Sequence, residues 1–393
     1  MTVTARTSST KPALLSKALL LRLVSAVGAA ASFFLLMSVV PLYAGATGAG
    51  LATSTLMFAT VAGELITTRL VTRFGYRTVL GVGLILLGTP ALVLTLSTNL
   101  VWIAAVCVVR GVGFAFTIVA GGALTALIVP PERRGEGLAL ASMASSVPSI
   151  LALPLGVWLV GQVGYSTVAI IGGVVSLAAV VSLPGLPNRY AGEHSDGPQA
   201  GLASGLRDPG VRRPAIVFAS TALGTGIVVT FLPLTVPASL TGLVAVALFV
   251  QPAASTLALW AAGRYGDRHQ PAHLILPSVL ACAIGLACIA LTGNAVAIIL
   301  GVAVFGLGFG CAQTATLSSM YARVPRSGYG MVSTLWNVGY DGGMGVGALG
   351  FGVVAAHTGY PIAFLGSAAL LLAAVVPAIR SRRPVPLAGT RSR

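Results

Sequence analysis

Apolar residues in this chain come in long runs rather than at alternating or one-face spacing. Runs of roughly 20 mostly apolar residues, enough for a helix to cross the ~30 Å hydrocarbon core of a bilayer, recur twelve times between polar breaks. The predicted helices cover 18–43, 50–72, 78–97, 100–128, 136–161 and 165–183, then 214–236, 242–263, 272–292, 295–321, 330–356 and 361–379. The interval 184–213 is the one long polar segment; it holds Glu193, Asp196 and Asp208 among Gly and Pro and reads as a linker. The expected organisation is a cytoplasmic tail (1–17), a six-helix bundle (18–183), a cytoplasmic linker (184–213), a second bundle (214–379) and a basic tail (380–393). The fold class is all-α and integral to a membrane. The first apolar run is a full span with no small-residue cleavage site, so it is read as helix 1 and not as a signal.

The two halves are copies. Shifted by 195 positions, Asn99 falls on Asn294, Gly111 on Gly306, Gly113 on Gly308, Phe114 on Phe309, Pro130 on Pro325, and Gly164-Tyr165 on Gly359-Tyr360. Loop landmarks held in register over that distance point to one unit duplicated in parallel. The mismatches are equally informative: Arg110 faces Phe305, Ser146 faces Asp341, and Glu64 faces Leu259. A symmetric scaffold whose buried charges are its unmatched positions predicts asymmetric function.

Composition agrees with a membrane protein: 56% of the 393 residues are hydrophobic and 8% charged, against about 25% charged in soluble domains. The net charge of +15 would fit a nucleic-acid partner, but its placement argues otherwise. With the N-terminus inside, every Lys and Arg loop position, from Lys11 through Arg73, Arg133, Arg212 and Arg268 to the tail after Arg380, falls on one side. The loops of the other side, such as 44–50 and 97–99, carry none. This is the positive-inside pattern, and it implies contact with anionic lipid, both termini in the cytoplasm and no nucleic-acid partner. Abundant Arg, Ala, Gly and Val fit a bacterium with G+C-rich DNA, hence a bacterial cytoplasmic membrane. Cys107, Cys282, Cys288 and Cys311 lie in apolar spans without metal-ligand spacing and read as small core residues. No nucleophile beside a His, no metal-ligand cluster and no phosphate loop is visible, so neither catalytic residues nor a cofactor is expected.

The whole chain resembles the major facilitator superfamily, and in particular its twelve-helix bacterial drug and metabolite efflux branch. The loop between helices 2 and 3 is similar to that family's Gly-x-x-x-Asp-Arg-x-Gly-Arg-Arg/Lys motif: Arg73, Gly75 and Arg77 match, while Thr72 stands at the Asp position. Its repeat between helices 8 and 9 keeps Gly263, Asp267 and Arg268. Arg110 followed by Gly113 resembles the helix 4 motif, and Pro154-Leu155-Gly156 is what remains of the exporters' helix 5 signature. The resemblance implies two bundles rocking about a central cavity, a monomer, and a loop motif that contacts the inner end of helix 11.

Three ionisable residues lie deep in the spans. At 1.5 Å per residue, Glu64 is roughly 12 Å from the inner end of helix 2, Asp341 roughly 17 Å into helix 11 and Arg110 roughly 15 Å from the outer end of helix 4. Charges at that depth cost roughly 2.5–3.5 kcal/mol on insertion scales and usually serve function. Arg22, near the end of helix 1, is expected to snorkel to the headgroups. In the family's fold helices 2 and 11 meet across the two halves, which would bring Glu64 and Asp341 together. Two carboxyls in a low-dielectric site cannot readily both be ionised, so the pair could load and release a proton, with Arg110 as its electrostatic partner. The competing reading is a structural ion pair between Arg110 and one of the acids.

His194, His269, His273 and His357 are read as solvated, and Glu132 and Glu136 beside Arg133-Arg134 as a loop salt-bridge network. Polar candidates for the cavity wall are Thr117, Ser146, Thr225, Gln251, Gln313, Asn337 and Tyr340, with Thr230, Thr314 and Thr316 beside them. They are interleaved with Phe33, Phe34, Met37, Phe114, Phe116, Phe231 and Trp336. A wide, mostly apolar wall with few charges suits varied small molecules. The leading expectation is proton-coupled export of small hydrophobic or amphipathic compounds, neutral or cationic. An importer or facilitator of a nutrient is the rival, and a non-transporting scaffold a weaker one.

Overall fold

The computed structural model describes residues 16–130, 133–189, 202–236 and 241–381. Lys11, Glu132, Glu193, His194, Asp196 and the basic tail after Ser381 lie outside the described residues. Lys17–Phe74 runs as 58 helical residues broken at Gly45, where φ is 71°; the two limbs are α1 (17–44) and α2 (46–74). Glycine alone takes that φ without strain, so one residue turns the chain where the sequence predicted a loop of 44–49. Gly75, at φ 87°, opens α3 (Tyr76–Val93), and Asn99 caps α4 (Leu100–Ile128). Arg134–Ala178 is broken likewise at Gly164, φ 78°, giving α5 (134–163) and α6 (165–178).

The second half begins earlier than predicted. Asp208 caps α7 (Pro209–Thr235), its carboxylate accepting from the Gly210 amide at 2.7 Å, with Pro209 in the first turn. An Asp cap followed by Pro is a helix start, so part of the segment read as linker belongs to the helix. A short helix, Leu202–Arg207, precedes it. Then come α8 (Thr241–Gly266), α9 (Ile275–Ile289), α10 (Ala295–Tyr321), α11 (Tyr329–Thr358) and α12 (Tyr360–Leu372, resumed at Val375–Ser381). Among the described residues nine helices are long and apolar enough to cross a membrane. Two of these are the double-span helices broken at Gly45 and Gly164. α11, with eight glycines and Asp341 lowering its hydropathy, completes the twelve.

The duplication extends to packing. Asn99 and Asn294 cap α4 and α10 through the same side-chain oxygen. Gly164 and Gly359 share a φ of 78°. A Cβ on Gly111 would strike the Leu56 carbonyl and Ala59; on Gly306 it would strike the Gln251 carbonyl and Ala254, the equivalent positions. Small residues thus set the same close crossing, α4 on α2 and α10 on α8, twice. Large apolar side chains such as Leu257, Trp260, Val101 and Leu300 are exposed on the outside, as a hydrocarbon solvent permits.

The halves meet along α2–α11 and α5–α8, and α2 also touches α7. The molecule has two unlike ends: the basic side, bearing Arg73, Arg189 and Arg268, and the uncharged side, bearing the turns at Gly45, Gly164 and Gly359.

Candidate functional site

Near the uncharged side, α2 and α11 are sealed together. Ser54 donates to the Gly345 carbonyl at 2.9 Å, and Thr230 of α7 donates to the Thr53 hydroxyl at 2.9 Å. A Cβ on Gly50 would press into the Ala348 carbonyl, so the backbones touch directly. Phe231, placed in the cavity wall by sequence, instead plugs this seam: it is 1% exposed, packs on Phe351 at 4.7 Å, and its ring edge faces Gly50 and Gly352.

Glu64 and Asp341 lie where this seal ends, toward the basic side. Both are buried, at 7% and 6% exposure. On the two helices of the seam, Glu64 lies inward of Ser54 and Asp341 inward of Gly345. One Glu64 oxygen, Oε2, has no hydrogen-bond partner. The positions equivalent to the acids, Leu259 and Ser146, face one central cavity on α8 and α5. The second seam therefore has no acid pair.

Arg110 does not pair with either acid, which corrects the ion-pair reading: among the described residues the ion pair within 4.0 Å is Arg133–Glu136. Fully buried, Arg110 donates from Nε to the Leu87 carbonyl and from Nη2 to the Ser32 carbonyl, each at 3.3 Å. Its Nη1 and the Ser32 hydroxyl remain unpartnered. A cavity of ≈ 10 Å³ touches the guanidinium, Cys107 and Thr53, about the space one water needs. Arg22 also departs from expectation. It does not snorkel but turns inward, donating to the Gly121 carbonyl at 3.0 Å and the Ser25 hydroxyl at 3.1 Å.

The central cavity, ≈ 130 Å³, lies between the halves and is lined by Phe34 and Met37 of α1, Ser146 of α5 and Thr225 of α7. Gln251 of α8, Gln313 of α10 and Tyr340 of α11 complete the predicted members that line it. Gln313 donates to Ser255 at 3.2 Å, and the Thr225 hydroxyl is buried without a partner. Among the described residues no charged side chain lines the cavity. Other predicted wall residues pack elsewhere. Phe33 stacks on Phe114 at 3.5 Å, Thr117 bonds the Phe114 carbonyl, and Phe116 is buried. Trp336 stacks on Phe218 at 4.2 Å, and Asn337 is half-buried off the lining. Thr314 and Thr316 bond carbonyls of Leu259 and Ala312. Membrane helices satisfy hydroxyls on their own backbone, so polarity alone does not mark a cavity. Sequence reasoning missed Ser149, Ser255, Phe309 and Met344, which do line it. Ser255 was within reach: it sits one turn beyond Gln251 and so shares its face.

On the basic side, the turn of Arg73, Gly75 and Arg77 is clasped by the chain leaving α6. Tyr76 donates its amide to the Asn188 carbonyl at 2.8 Å, and Arg189 donates to the Arg73 carbonyl at 3.0 Å. A Cβ on Gly75 would fall on Asn188. The hydrogen bonds of this motif thus run to the start of the linker, where the family resemblance implied α11. In the second copy, Asp267 donates its amide to the Gly263 carbonyl, and the Arg268 amide bonds the Tyr265 carbonyl. Pro154 and Gly156 of α5 sit where α1 crosses: Ser38 donates to the Leu153 carbonyl at 2.8 Å, and a Cβ on Gly156 would meet the Leu35 carbonyl. His269 stacks on Tyr265, and His357 bonds the Val353 carbonyl.

The Major Facilitator Superfamily model matches residues 23–348 and again 215–393, and the chain belongs to that family of membrane transporters. No curated relative matches it in sequence. A bacterial homologue of the human lysosomal transporter Spinster, in an inward-facing occupied conformation, superposes with a TM-score of 0.75. It is 13% identical over 96% of this chain and 100% of that one. A mutant of the nucleoside transporter NupG gives a TM-score of 0.72 at 14% identity, covering 92% of this chain and 100% of its own. A POT family transporter in complex with 5-aminolevulinic acid gives 0.71 at 11%, covering 92% and 94%. These likenesses establish the fold and, with the family match, a multi-pass transporter rather than an enzyme.

Proposed function

We propose that this transporter couples the export of small hydrophobic or amphipathic compounds to proton entry, as a monomer in a bacterial cytoplasmic membrane with its basic side and termini in the cytoplasm. In that orientation the sealed α2–α11 seam is the outer gate, and the protein is closed to the outside. The observation that carries the reading is that the two helices sealed against each other each bear one buried acid inward of the seal, Glu64 on α2 and Asp341 on α11. Two ionised carboxyls there repel and push α2 from α11, whereas a pair holding one proton lets the helices close. A proton taken up from outside therefore closes the outer gate, and its loss to the cytoplasm allows the gate to reopen with cargo. Protons move in and cargo moves out.

The test is Asp341→Asn and Glu64→Gln in proteoliposomes with an imposed pH gradient. Both variants are expected to lose gradient-driven flux of a substrate carried by the unaltered protein while still unfolding cooperatively. Flux equal to that protein's would remove the pair from the mechanism. A nutrient importer is the second reading, favoured by the incomplete helix 5 signature at Pro154-Leu155-Gly156. Accumulation in cells with and without the protein separates the two by sign.

A further inference from the structure

The polar side chains of the central cavity stand at positions where the first half of the duplicated scaffold carries apolar ones. In the duplicated scaffold, Gln251 stands where the first half has Leu56, and Gln313 where it has Ile118. Leu56 is buried at 4% exposure, and Ile118 packs on the core of its half. The same backbone site thus accepts an aliphatic side chain, and a carboxamide in its place brings a desolvation cost with no structural need. Thr225 repeats the pattern: its counterpart is Ala30, the residue lines the cavity at 4% exposure, and its hydroxyl is buried without a partner. Three unmatched polar side chains, all from the second half, converge on one space.

Gln251 and Ser255 are one turn apart on α8, and Gln313 of α10 donates to Ser255 at 3.2 Å, so these groups form one continuous polar strip. The opposite wall carries Phe34 and Met37, and Phe309 and Tyr340 add aromatic surface. A carboxamide offers a donor and an acceptor side by side in one plane. Its best complement is another amide edge, with the ring faces holding the apolar remainder of the molecule. Among the described residues no charged side chain lines the space, so an ion entering it loses hydration that these residues do not replace.

We propose that the cavity binds neutral, planar molecules that present an amide or lactam edge, and that Gln251, Gln313 and Thr225 recognise that edge. The inference rests on the transport reading only in using the same cavity; it concerns binding and does not require proton coupling.

An isosteric series tests it. Benzamide is neutral with an amide edge, acetophenone lacks the N–H donors, benzoate is an anion and benzamidine a cation. Binding to the purified full chain in lipid nanodiscs, followed by saturation-transfer NMR titration, is expected to favour benzamide over the other three by about tenfold, the worth of a hydrogen bond or two. Gln251→Leu and Gln313→Ile install the residues that the first half already carries at these sites. Each is expected to fold and to bring benzamide down to the level of acetophenone. The proposal is overturned if benzamidine or acetophenone binds as well as benzamide, if benzamide does not bind, or if both variants keep the unaltered preference. Gradient-driven flux, measured separately, tells the two ideas apart: selective benzamide binding without pH-driven flux removes the coupling and leaves this site standing, and the converse holds equally.

Discussion

Gly121 lacks a side chain because the Arg22 guanidinium fills the space where one would begin. Arg22 is buried, and its hydrogen bonds to Gly121 and Ser25 replace the hydration it would have at the headgroups. Gly121→Ala is expected to lower stability by about 1–3 kcal/mol, because the guanidinium must shift and loses its buried hydrogen bonds to the Gly121 carbonyl and Ser25. Nothing lies within 4 Å of a Cβ on the neighbouring Gly122, so Gly122→Ala should stay within about 0.5 kcal/mol. Thermal unfolding of the two variants in one detergent checks the contrast; equal melting temperatures would contradict it. The Arg22 environment was invisible in sequence, since a basic residue near a helix end snorkels or turns inward according to which neighbouring helix offers a carbonyl. Glu64, Asp341 and Arg110 were legible as functional candidates for a simpler reason: charge is rare in apolar spans and unmatched in the repeat. Their partners were less so. Both acids are buried on the helices of the α2–α11 seam, whereas Arg110 donates to the carbonyls of Ser32 and Leu87, and no residue pattern announces backbone oxygens as partners.

At the scale of elements, α4 and α10 match their predicted limits of 100–128 and 295–321 because an Asn cap marks each start. The predicted loop 44–49 and the loop between helices 5 and 6 are absent because a single glycine with positive φ reverses the chain. Small residues at Gly50, Gly345 and Gly352 let α2 and α11 approach to backbone contact, and that approach is the seal. Gly50→Val would drive a side chain into the Ala348 carbonyl and hold the seam apart. Thr53→Cys is a suitable reporter, since Thr53 is 3% exposed in the closed seam. The rate at which a membrane-impermeant maleimide labels this cysteine from the uncharged side is expected to rise at least about tenfold when Gly50→Val is added. An unchanged rate would mean that backbone contact is not what closes the seam.

For the molecule as a whole, the two halves are held in this arrangement partly by one hydroxyl pair, Thr53 with Thr230. Thr53→Cys with Thr230→Cys places two sulfurs within bonding reach of each other only when the seam is shut. Oxidation is expected to trap the protein and stop flux, and a reductant to restore it. In the proposed cycle deprotonated acids open the seam, so the yield relative to a Glu64→Gln, Asp341→Asn background, which cancels the thiol's own pH dependence, should fall as pH rises. Full flux from the oxidised pair would show that the seam does not move during transport. A yield independent of pH would uncouple the acids from the gate.

The turns at Gly45, Gly164 and Gly359 are single residues, and the sequence at these and the other connections of that side contains neither lysine nor arginine. Trypsin reaching that face has no bond to cut, whereas the opposite face offers Arg73, Arg189, Arg212 and Arg268. Digestion of right-side-out and inverted vesicles would therefore read the sidedness of the protein from its native sequence, with no tag or engineered site.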